Sequence, residues 1–225
     1  MAHKPEMPDL HTHSFLSDGE LCPAELFTRA EHAGVTAMAV TDHVDRATVE
    51  ATVPAIVAAC EAECSGGKLL AVPGAEITHV RPGQIAELAE RCRQLGARVV
   101  LVHGETVVEP VPAGTNRAAI EAGVDVLAHP GMLTEADAAL AAELGVRLEI
   151  SGRQGHCLTN GHVASLARAA GAELTFGSDG HCPGDLRGRA AALTVLRGAG
   201  LDAATAEAVL DGGLRLLNAR SERTT

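Results

Sequence analysis

Residues 7–20 read MPDLHTHSFLSDGE, and this stretch decides how the rest of the chain is interpreted. A short apolar run is followed by two imidazoles and a carboxylate, His11, His13 and Asp18. Parallel sheets that bind nucleotides have a glycine-rich phosphate loop, GxGxxG or GxxxxGK[ST], after the first strand. The first predicted strand ends in HxH instead, which disfavours an open doubly wound sheet and raises the possibility of a metal site.

Beyond this stretch, short β-branched runs alternate with segments of helical period. Such strand–helix units predict an α/β fold with a parallel sheet and right-handed crossovers, and seven of them predict a barrel. The predicted strands are 8–12, 35–42, 69–77, 97–103, 124–129, 146–151 and 173–178. The predicted helices are 23–33, 46–64, 83–95, 115–122, 134–144, 160–170, 185–199 and 202–218. A glycine precedes five of the strands, where a helix C-cap is expected: Gly34, Gly96, Gly123, Gly145 and Gly171.

Length and composition predict one domain over 1–225, with a core at about 8–218. The formal charge of −11 and the absence of Trp and Tyr argue against long nucleic acids as partners, because such partners require basic faces and aromatic platforms. No apolar run approaches the roughly 18 residues of a membrane span, and no leader pattern is seen, so a cytoplasmic enzyme is expected. The sequence does not specify an oligomeric state.

Ionisable side chains end six of the seven predicted strands. In parallel barrels the carboxyl ends of the strands form one mouth, so these side chains are expected to converge. Packed together without cations, the carboxylates and imidazoles would be left uncompensated. Bound ions about 3.5–4 Å apart would acidify a bridging water and hold phosphoryl oxygens. The residues are His11, His13, Asp42, His43, Glu76, His103, Glu105, His129, Asp179 and His181.

The same residues form a series of motifs that resembles the polymerase and histidinol phosphatase (PHP) superfamily from residue 9 to about 218. The motifs are His11-x-His13, Asp18-Gly19, Thr41-Asp42-His43, Gly74-x-Glu76, His103, Ala128-His129-Pro130 and Ser178-Asp179-x-His181. The resemblance implies a distorted (β/α)7 TIM-like barrel, two to three divalent metal ions and phosphoester hydrolysis. Mixed imidazole and carboxylate ligands suit Zn, Mn or Fe.

The resemblance also implies which residues hold each ion. It assigns the first ion to His11, His13, Glu76 and Asp179, and the second to Glu76, His103 and His129. The third is assigned to Asp18, His43 and His181. Glu76 and Asp179 are therefore expected to act in catalysis as ligands. Asp42 is expected either to orient a ligating imidazole or to cap the helix that begins near Arg46.

Five further residues are predicted to meet the substrate. Arg153 follows the one strand without a ligand and is predicted to clamp phosphate, with a surface salt bridge as the alternative. His156 is predicted to protonate the leaving oxygen or contact the substrate, and His79 to reach the mouth or cap a helix. Asn116 and Arg117, in a long loop after the fourth strand, are candidates for leaving-group recognition, although a helix-capping role near Thr115 fits equally well.

The function that follows is hydrolysis of a small phosphomonoester, with histidinol phosphate as the first candidate implied by the resemblance. The alternative is a phosphodiesterase or nuclease that acts on small nucleotides or short oligonucleotides. An amidohydrolase is less favoured, because many amidohydrolases need a carboxylated lysine and neither Lys4 nor Lys68 ends a predicted strand. A non-catalytic binding domain is least favoured, because such relatives are expected to lose ligands.

Overall fold

The computed structural model describes residues 6–65 and 68–221, so Lys4 lies outside the described residues. Strands and helices alternate along the chain, as the sequence predicts. The strands are β1 (Pro8–Asp9), β2 (Ala37–Val40), β3 (His43–Val44), β4 (Leu70–Ile77), β5 (Val99–His103), β6 (Val126–Ala128), β7 (Arg147–Ser151) and β8 (Leu174–Gly177). The helices are α1 (Pro23–Ala33), α2 (Val49–Cys64), α3 (Ile85–Gln94), α4 (Thr115–Glu121), α5 (Glu135–Leu144), α6 (Asn160–Ala170), α7 (Arg189–Gly198) and α8 (Ala203–Ser221).

Seven strands form a nearly closed barrel in the order β1-β2-β4-β5-β6-β7-β8, and every neighbouring pair is parallel. The gap between β8 and β1 is bridged just beyond their ends, where Thr12 pairs with Gly180. The N–H of Asp179 also donates to the carbonyl of His11 at 2.8 Å. The predicted TIM-like barrel is therefore confirmed.

The second predicted strand, 35–42, is interrupted and continues as β3, which pairs with the end of β4. The interruption lies beside Gly74 of β4. A Cβ there would lie 2.8 Å from both the Thr41 side chain and the Val99 carbonyl, so only glycine permits this close approach. The break turns β3 so that His43 is registered opposite Glu76.

Helix boundaries follow local hydrogen bonds. All five predicted C-cap glycines have positive φ, from 62° at Gly123 to 105° at Gly96. Helix α2 begins at Val49 rather than 46, because the Asp45 carboxylate accepts the N–H groups of Ala47 and Thr48 and holds a turn there. Helix α7 likewise begins at Arg189 rather than 185.

The core has two parts. The larger lies between the sheet and the surrounding helices, and each fully buried Leu, Ile or Phe there contributes about 1.5–3 kcal/mol. The smaller fills the barrel and includes Leu216 and Leu217 of α8. Because Arg220 of α8 contacts Asp125, which directly precedes β6, this helix covers the amino-terminal end of the barrel. Within residues 6–65 and 68–221, no helix is both long and apolar enough to cross a bilayer.

Candidate metal centre

The open end of the barrel is lined by the ionisable residues that follow the strands. The loops from seven strands converge there, and α8 leaves this end uncovered. Neighbouring imidazole rings are close, with centroids 4.1 Å apart for His13 and His181 and 4.4 Å apart for His103 and His129. The structure brings together all nine predicted ligands: His11, His13, Asp18, His43, Glu76, His103, His129, Asp179 and His181.

The four residues of the first predicted ion position lie close together, and His11, His13 and Asp179 each offer one donor atom within 4.8 Å of the others. Nε2 of His11 lies 3.4 Å from Glu76 Oε1 and 3.8 Å from Asp179 Oδ1. Nε2 of His13 lies 3.3 Å from the same Asp179 oxygen and 3.7 Å from Glu76 Oε2. All four side chains are buried, so these donors face one another away from solvent.

Glu76 is placed to serve two positions. Its Oε1 faces Nε2 of His11 and, at 3.5 Å, Nε2 of His129. Its Oε2 faces His13 and lies 2.7 Å from Nδ1 of His43. The hydrogen-bond partner of that Nδ1 is instead Thr78 Oγ1, at 2.6 Å, so the carboxylate is close to His43 without being satisfied by it.

The third predicted position lies nearer the surface. Oδ1 of Asp18 is 3.2 Å from Nε2 of His181 and 3.5 Å from Nε2 of His43. His13 also approaches this carboxylate, with Nδ1 at 3.9 Å from the same oxygen. One donor atom from each of these four residues lies within 4.8 Å of the others, a spacing that a metal ion could join.

Unpartnered buried atoms test whether this mouth suits a cation. Both Glu76 oxygens are buried and make no hydrogen bond, and the same is true of imidazole nitrogens on His11, His13 and His129. A buried polar atom left without a partner costs roughly 1–3 kcal/mol, more when it is charged. Carboxylate oxygens and imidazole lone pairs turned toward one space are the donor set of Zn, Mn or Fe, so the residues fit such an ion.

The carboxylates and imidazoles of the mouth shift one another's pKa values. Burial raises the pKa of Glu76, but the imidazoles of His11 and His43 outweigh burial and hold that pKa well below its usual range. Burial also raises the pKa of Asp179, but the neighbouring imidazoles, with His11 first among them, outweigh burial and hold this pKa well below its usual range. Burial lowers the pKa of His43, yet Glu76 and Asp18 outweigh it and raise this pKa to about 10.

Other imidazoles are held neutral. Burial lowers the pKa of His13 to about 3 and the pKa of His103 to about 4. The pKa of His156 is also lowered to about 4, first by burial and then by the neighbouring His129. Neutral imidazoles keep a lone pair on one ring nitrogen, so these residues can act as ligands without first losing a proton.

Glu149 was missed by the sequence analysis, although it lies inside the centre. This buried residue of β7 accepts a hydrogen bond from Nδ1 of His11 at 2.7 Å and from the backbone N–H of His129 at 3.0 Å. It therefore holds His11 in the tautomer that turns the Nε2 lone pair toward Glu76. The signal was present, because a carboxylate within the apolar strand VRLEIS needs a buried partner.

Backbone strain is concentrated at the same place. Within the described residues, three non-glycine residues have positive φ: His79 at 55°, His129 at 26° and Asp179 at 52°. All three line the mouth. Such conformations cost of order 1–3 kcal/mol each and persist where surrounding contacts enforce them, as Glu149 does at the His129 N–H.

Asp42 has neither of its two predicted roles. Its carboxylate accepts hydrogen bonds from the N–H and the hydroxyl of both Ser14 and Ser17. It thereby fixes the turn that carries Asp18 to the mouth, while α2 begins further on at Val49.

Three of the predicted substrate residues line the cavity of the mouth. Arg153 Nη1 lies 3.1 Å from the carbonyl of Asp179 and 2.6 Å from Nδ1 of His181. His156 and His79 both face Glu109, with their Nε2 atoms 3.4 and 3.6 Å from its carboxylate oxygens. Whether these three side chains contact a substrate stays a prediction.

The other two substrate candidates are directed elsewhere. Arg117 lies on the outer surface of α4, where its guanidinium pairs with Glu121 at 2.8 Å and with Asp137 at 3.4 Å. The buried Asn116 side chain accepts the Glu105 N–H at 2.9 Å and donates to the Pro130 carbonyl at 2.8 Å. Asn116 therefore ties two loops together, and leaving-group recognition by this pair was the wrong prediction.

Glu105, which follows the fourth predicted strand, turns away from the mouth. Its Oε1 accepts the N–H groups of Gly114 and Asn116, at 3.0 and 2.9 Å, at the start of α4. The capping role near Thr115 that competed with substrate binding is thus filled from the preceding loop.

The sequence also matches a known protein family. A model of the PHP domain matches residues 9–129, more than half of the 225 residues. The chain belongs to the PHP domain family. The PHP match contains seven of the nine predicted ligands, and the structure brings the other two, Asp179 and His181, to the same mouth from beyond it.

Individual proteins are also similar to this chain. The chain is 42% identical over 195 residues to "Uncharacterized protein MJ1295" of Methanocaldococcus jannaschii, covering 86% of this chain and 89% of that protein. It is 33% identical over 135 residues to a "Probable phosphatase" of Shewanella sp. (strain ANA-3), covering 52% of each chain. A chain in the cryo-EM structure of archaeal ribonuclease P with mature tRNA has a similar fold, with a TM-score of 0.68, 15% identity and coverage of 94% of this chain and 90% of that chain.

Proposed function

We propose that this PHP protein hydrolyses a phosphomonoester of a small molecule with the help of two to three divalent metal ions. The observation that carries the proposal is Glu76. Its carboxylate is wholly buried, both oxygens lack a hydrogen-bond partner, and four imidazoles surround it. Such a group is stabilised when cations share its oxygens.

In this proposal the ligands divide into three sets, with Glu76 shared between the first two. Bound ions supply an acidified water as nucleophile and positive charge for the phosphoryl oxygens. Asp18 and His43, which would hold the third ion, are more exposed than the ligands of the first set. The sets are His11, His13, Glu76 and Asp179; Glu76, His103 and His129; and Asp18, His43 and His181.

Arg153 is proposed to bind the phosphate. Its guanidinium lies at the rim of the mouth, beside Asp179 and His181, and about a third of the side chain is exposed. A planar guanidinium forms paired hydrogen bonds with phosphate oxygens and stays charged at all working pH values. It therefore gives the anionic substrate a fixed orientation in a protein whose formal charge is −11.

The size of the mouth favours a small substrate. Its cavity has a volume of about 190 Å³ and is lined by Arg153 and the surrounding imidazoles. A phosphoryl group with a compact leaving group fits this space. The name of the Shewanella relative, a probable phosphatase, supports the same class of reaction, and histidinol phosphate is the first compound to test.

The test uses purified protein reconstituted with Mn²⁺, Zn²⁺ or Fe²⁺ and assayed on p-nitrophenyl phosphate and bis(p-nitrophenyl) phosphate. Faster hydrolysis of the monoester, abolished by a chelator, is expected, and a panel of metabolite monoesters and mononucleotides then defines the leaving group. A preference for the diester would favour the phosphodiesterase alternative. Fully loaded protein that hydrolyses neither compound would contradict the proposal.

A further inference from the structure

Three buried imidazoles cluster on the side of the mouth formed by β5, β6 and β7. His103 ends β5, His129 follows β6, and His156 begins a short 3-10 helix after β7. One nitrogen from each ring lies within 4.8 Å of the others. The ring centroids of His129 and His156 are 4.1 Å apart, closer than those of His103 and His129 at 4.4 Å. The second predicted ion position includes only two of these three residues.

Hydrogen bonds orient two of the rings toward a common carboxylate. Nδ1 of His103 donates to the carbonyl of Gly104 at 3.2 Å, so its Nε2 carries the lone pair when the ring is neutral. That Nε2 lies 3.1 Å from Oε2 of Glu109. Nδ1 of His156 is held by Thr106 Oγ1 at 2.9 Å, and its Nε2 lies 3.4 Å from the other Glu109 oxygen.

A cation between the rings and the carboxylate would satisfy both. A nitrogen lone pair and a carboxylate oxygen about 3 Å apart repel each other, and a shared metal ion removes that repulsion. Glu109 comes from the loop after β5 and is partly exposed, so its carboxylate approaches the imidazoles from the solvent side. Glu76 Oε1 approaches from the inner side, 3.5 Å from Nε2 of His129.

We infer that His156 and Glu109 are ligands of the second ion, together with His103 and His129. The inference rests on the metal centre of the proposed function and extends its ligand set. With Glu76, which the first ion shares, the second ion would be held by three imidazoles and two carboxylates. Imidazole and carboxylate donors of this kind suit Zn²⁺, Mn²⁺ and Fe²⁺.

The first test measures metal binding to the whole protein without substrate. Zn²⁺ is titrated against a competing chelator into wild type, His156→Gln and Glu109→Gln. Loss of a direct ligand should lower the zinc affinity of one site by at least about tenfold, because removing even an outer partner of a ligand lowers metal affinity about 10–100-fold. His32→Gln is the matched control, because it removes an exposed imidazole from the last turn of α1.

The second test observes the ligand directly in the wild-type protein and so remains valid if a variant fails to fold. Long-range proton–nitrogen correlations of labelled histidines report whether each ring nitrogen is protonated, free or bound to metal. On addition of Zn²⁺, Nε2 of His156 should take the shift of a metal-bound nitrogen, while Nδ1 keeps its proton.

Two results would overturn the inference. One is an unchanged zinc affinity and stoichiometry in folded His156→Gln, and the other is a His156 Nε2 that gains only a proton. Neither measurement involves phosphoester hydrolysis. A protein that binds the ion through His156 but cleaves no phosphoester would refute the proposed function and leave this ligand assignment standing.

Discussion

Replacement of Glu149 by glutamine tests how the metal centre is held in shape. The carboxylate of Glu149 accepts two hydrogen bonds, from Nδ1 of His11 at 2.7 Å and from the N–H of His129 at 3.0 Å. Glutamine has the same size but only one accepting oxygen. If its amide N–H₂ faces His11, that ring must accept at Nδ1 and carry its proton on Nε2, where the metal would bind.

The alternative orientation of glutamine is also unfavourable. Its N–H₂ then faces the buried N–H of His129, and one donor is left without an acceptor at a cost of about 1–3 kcal/mol. Because that N–H is unpaired with or without metal, this cost lowers the stability of the fold. The loss of affinity comes from the first orientation, in which the His11 ring is no longer held, and removing an outer partner of a metal ligand weakens binding by about 10–100-fold. We therefore expect Glu149→Gln to weaken zinc binding by about 10–100-fold.

The assay is a chelator competition with Zn²⁺, accompanied by thermal unfolding of the metal-free protein to check that the variant is folded. Asp9→Asn is the matched control. Asp9 is also a buried carboxylate near His11, but its Oδ1 accepts backbone N–H groups of His11 and Ser178, which an asparagine oxygen also accepts. The zinc affinity of Asp9→Asn should stay within about threefold of wild type, because the asparagine oxygen keeps both hydrogen bonds.

A second substitution, on the neighbouring strand β8, should displace the Glu149 side chain. A Cβ at Gly177 of β8 would lie 2.1 Å from Glu149 Oε1 and 2.6 Å from the Cβ of His11. Gly177→Ala must therefore displace the carboxylate and should also weaken zinc binding. Wild-type affinity in a folded Glu149→Gln protein would refute the positioning role, and equal losses in Glu149→Gln and Asp9→Asn would show a general effect of buried charge.

The remaining predictions concern the shared ligand, the phosphate clamp and pH. Glu76→Gln should lower metal content and hydrolysis together, measured by elemental analysis and p-nitrophenyl phosphate turnover; full metal content with full activity would exclude a shared ligand. Arg153→Ala should raise KM about tenfold or more while metal content stays constant, because a lost charge-assisted hydrogen bond costs about 1.5–3 kcal/mol; an unaltered kinetic profile would remove Arg153 from the site. In the metal-free protein, the pKa of His43 is raised to about 10, so its contribution to stability is fully present below its unfolded pKa of about 6.5 and is lost as pH rises through about 10. The urea midpoint of metal-free protein should fall between about pH 6.5 and 10, and by less in His43→Gln; an identical fall in both would contradict this assignment.

Much of this architecture follows from local sequence signals. Period and β-branched runs predicted seven strands, and each of the five C-cap glycines lies where a helix must end before a strand begins. The HxH of His11 and His13 and the DxH of Asp179 and His181 were predicted to converge because parallel strands end on one side of a barrel. The structure brings them together there. These predictions succeeded because each depended on topology, which the order of elements along the chain determines.

The order of elements along the chain is therefore enough to predict the barrel and the end of it where the donors gather. Which side chains turn toward that space depends on contacts made in the folded protein. Arg117 turns to the acids of its own and a neighbouring helix, Glu149 supports His11 from a strand 138 residues away, and His156 joins His103. The physical reason is that most of these contacts join residues far apart in the chain. Side-chain rotamers and strand register set such contacts, and a linear pattern records neither.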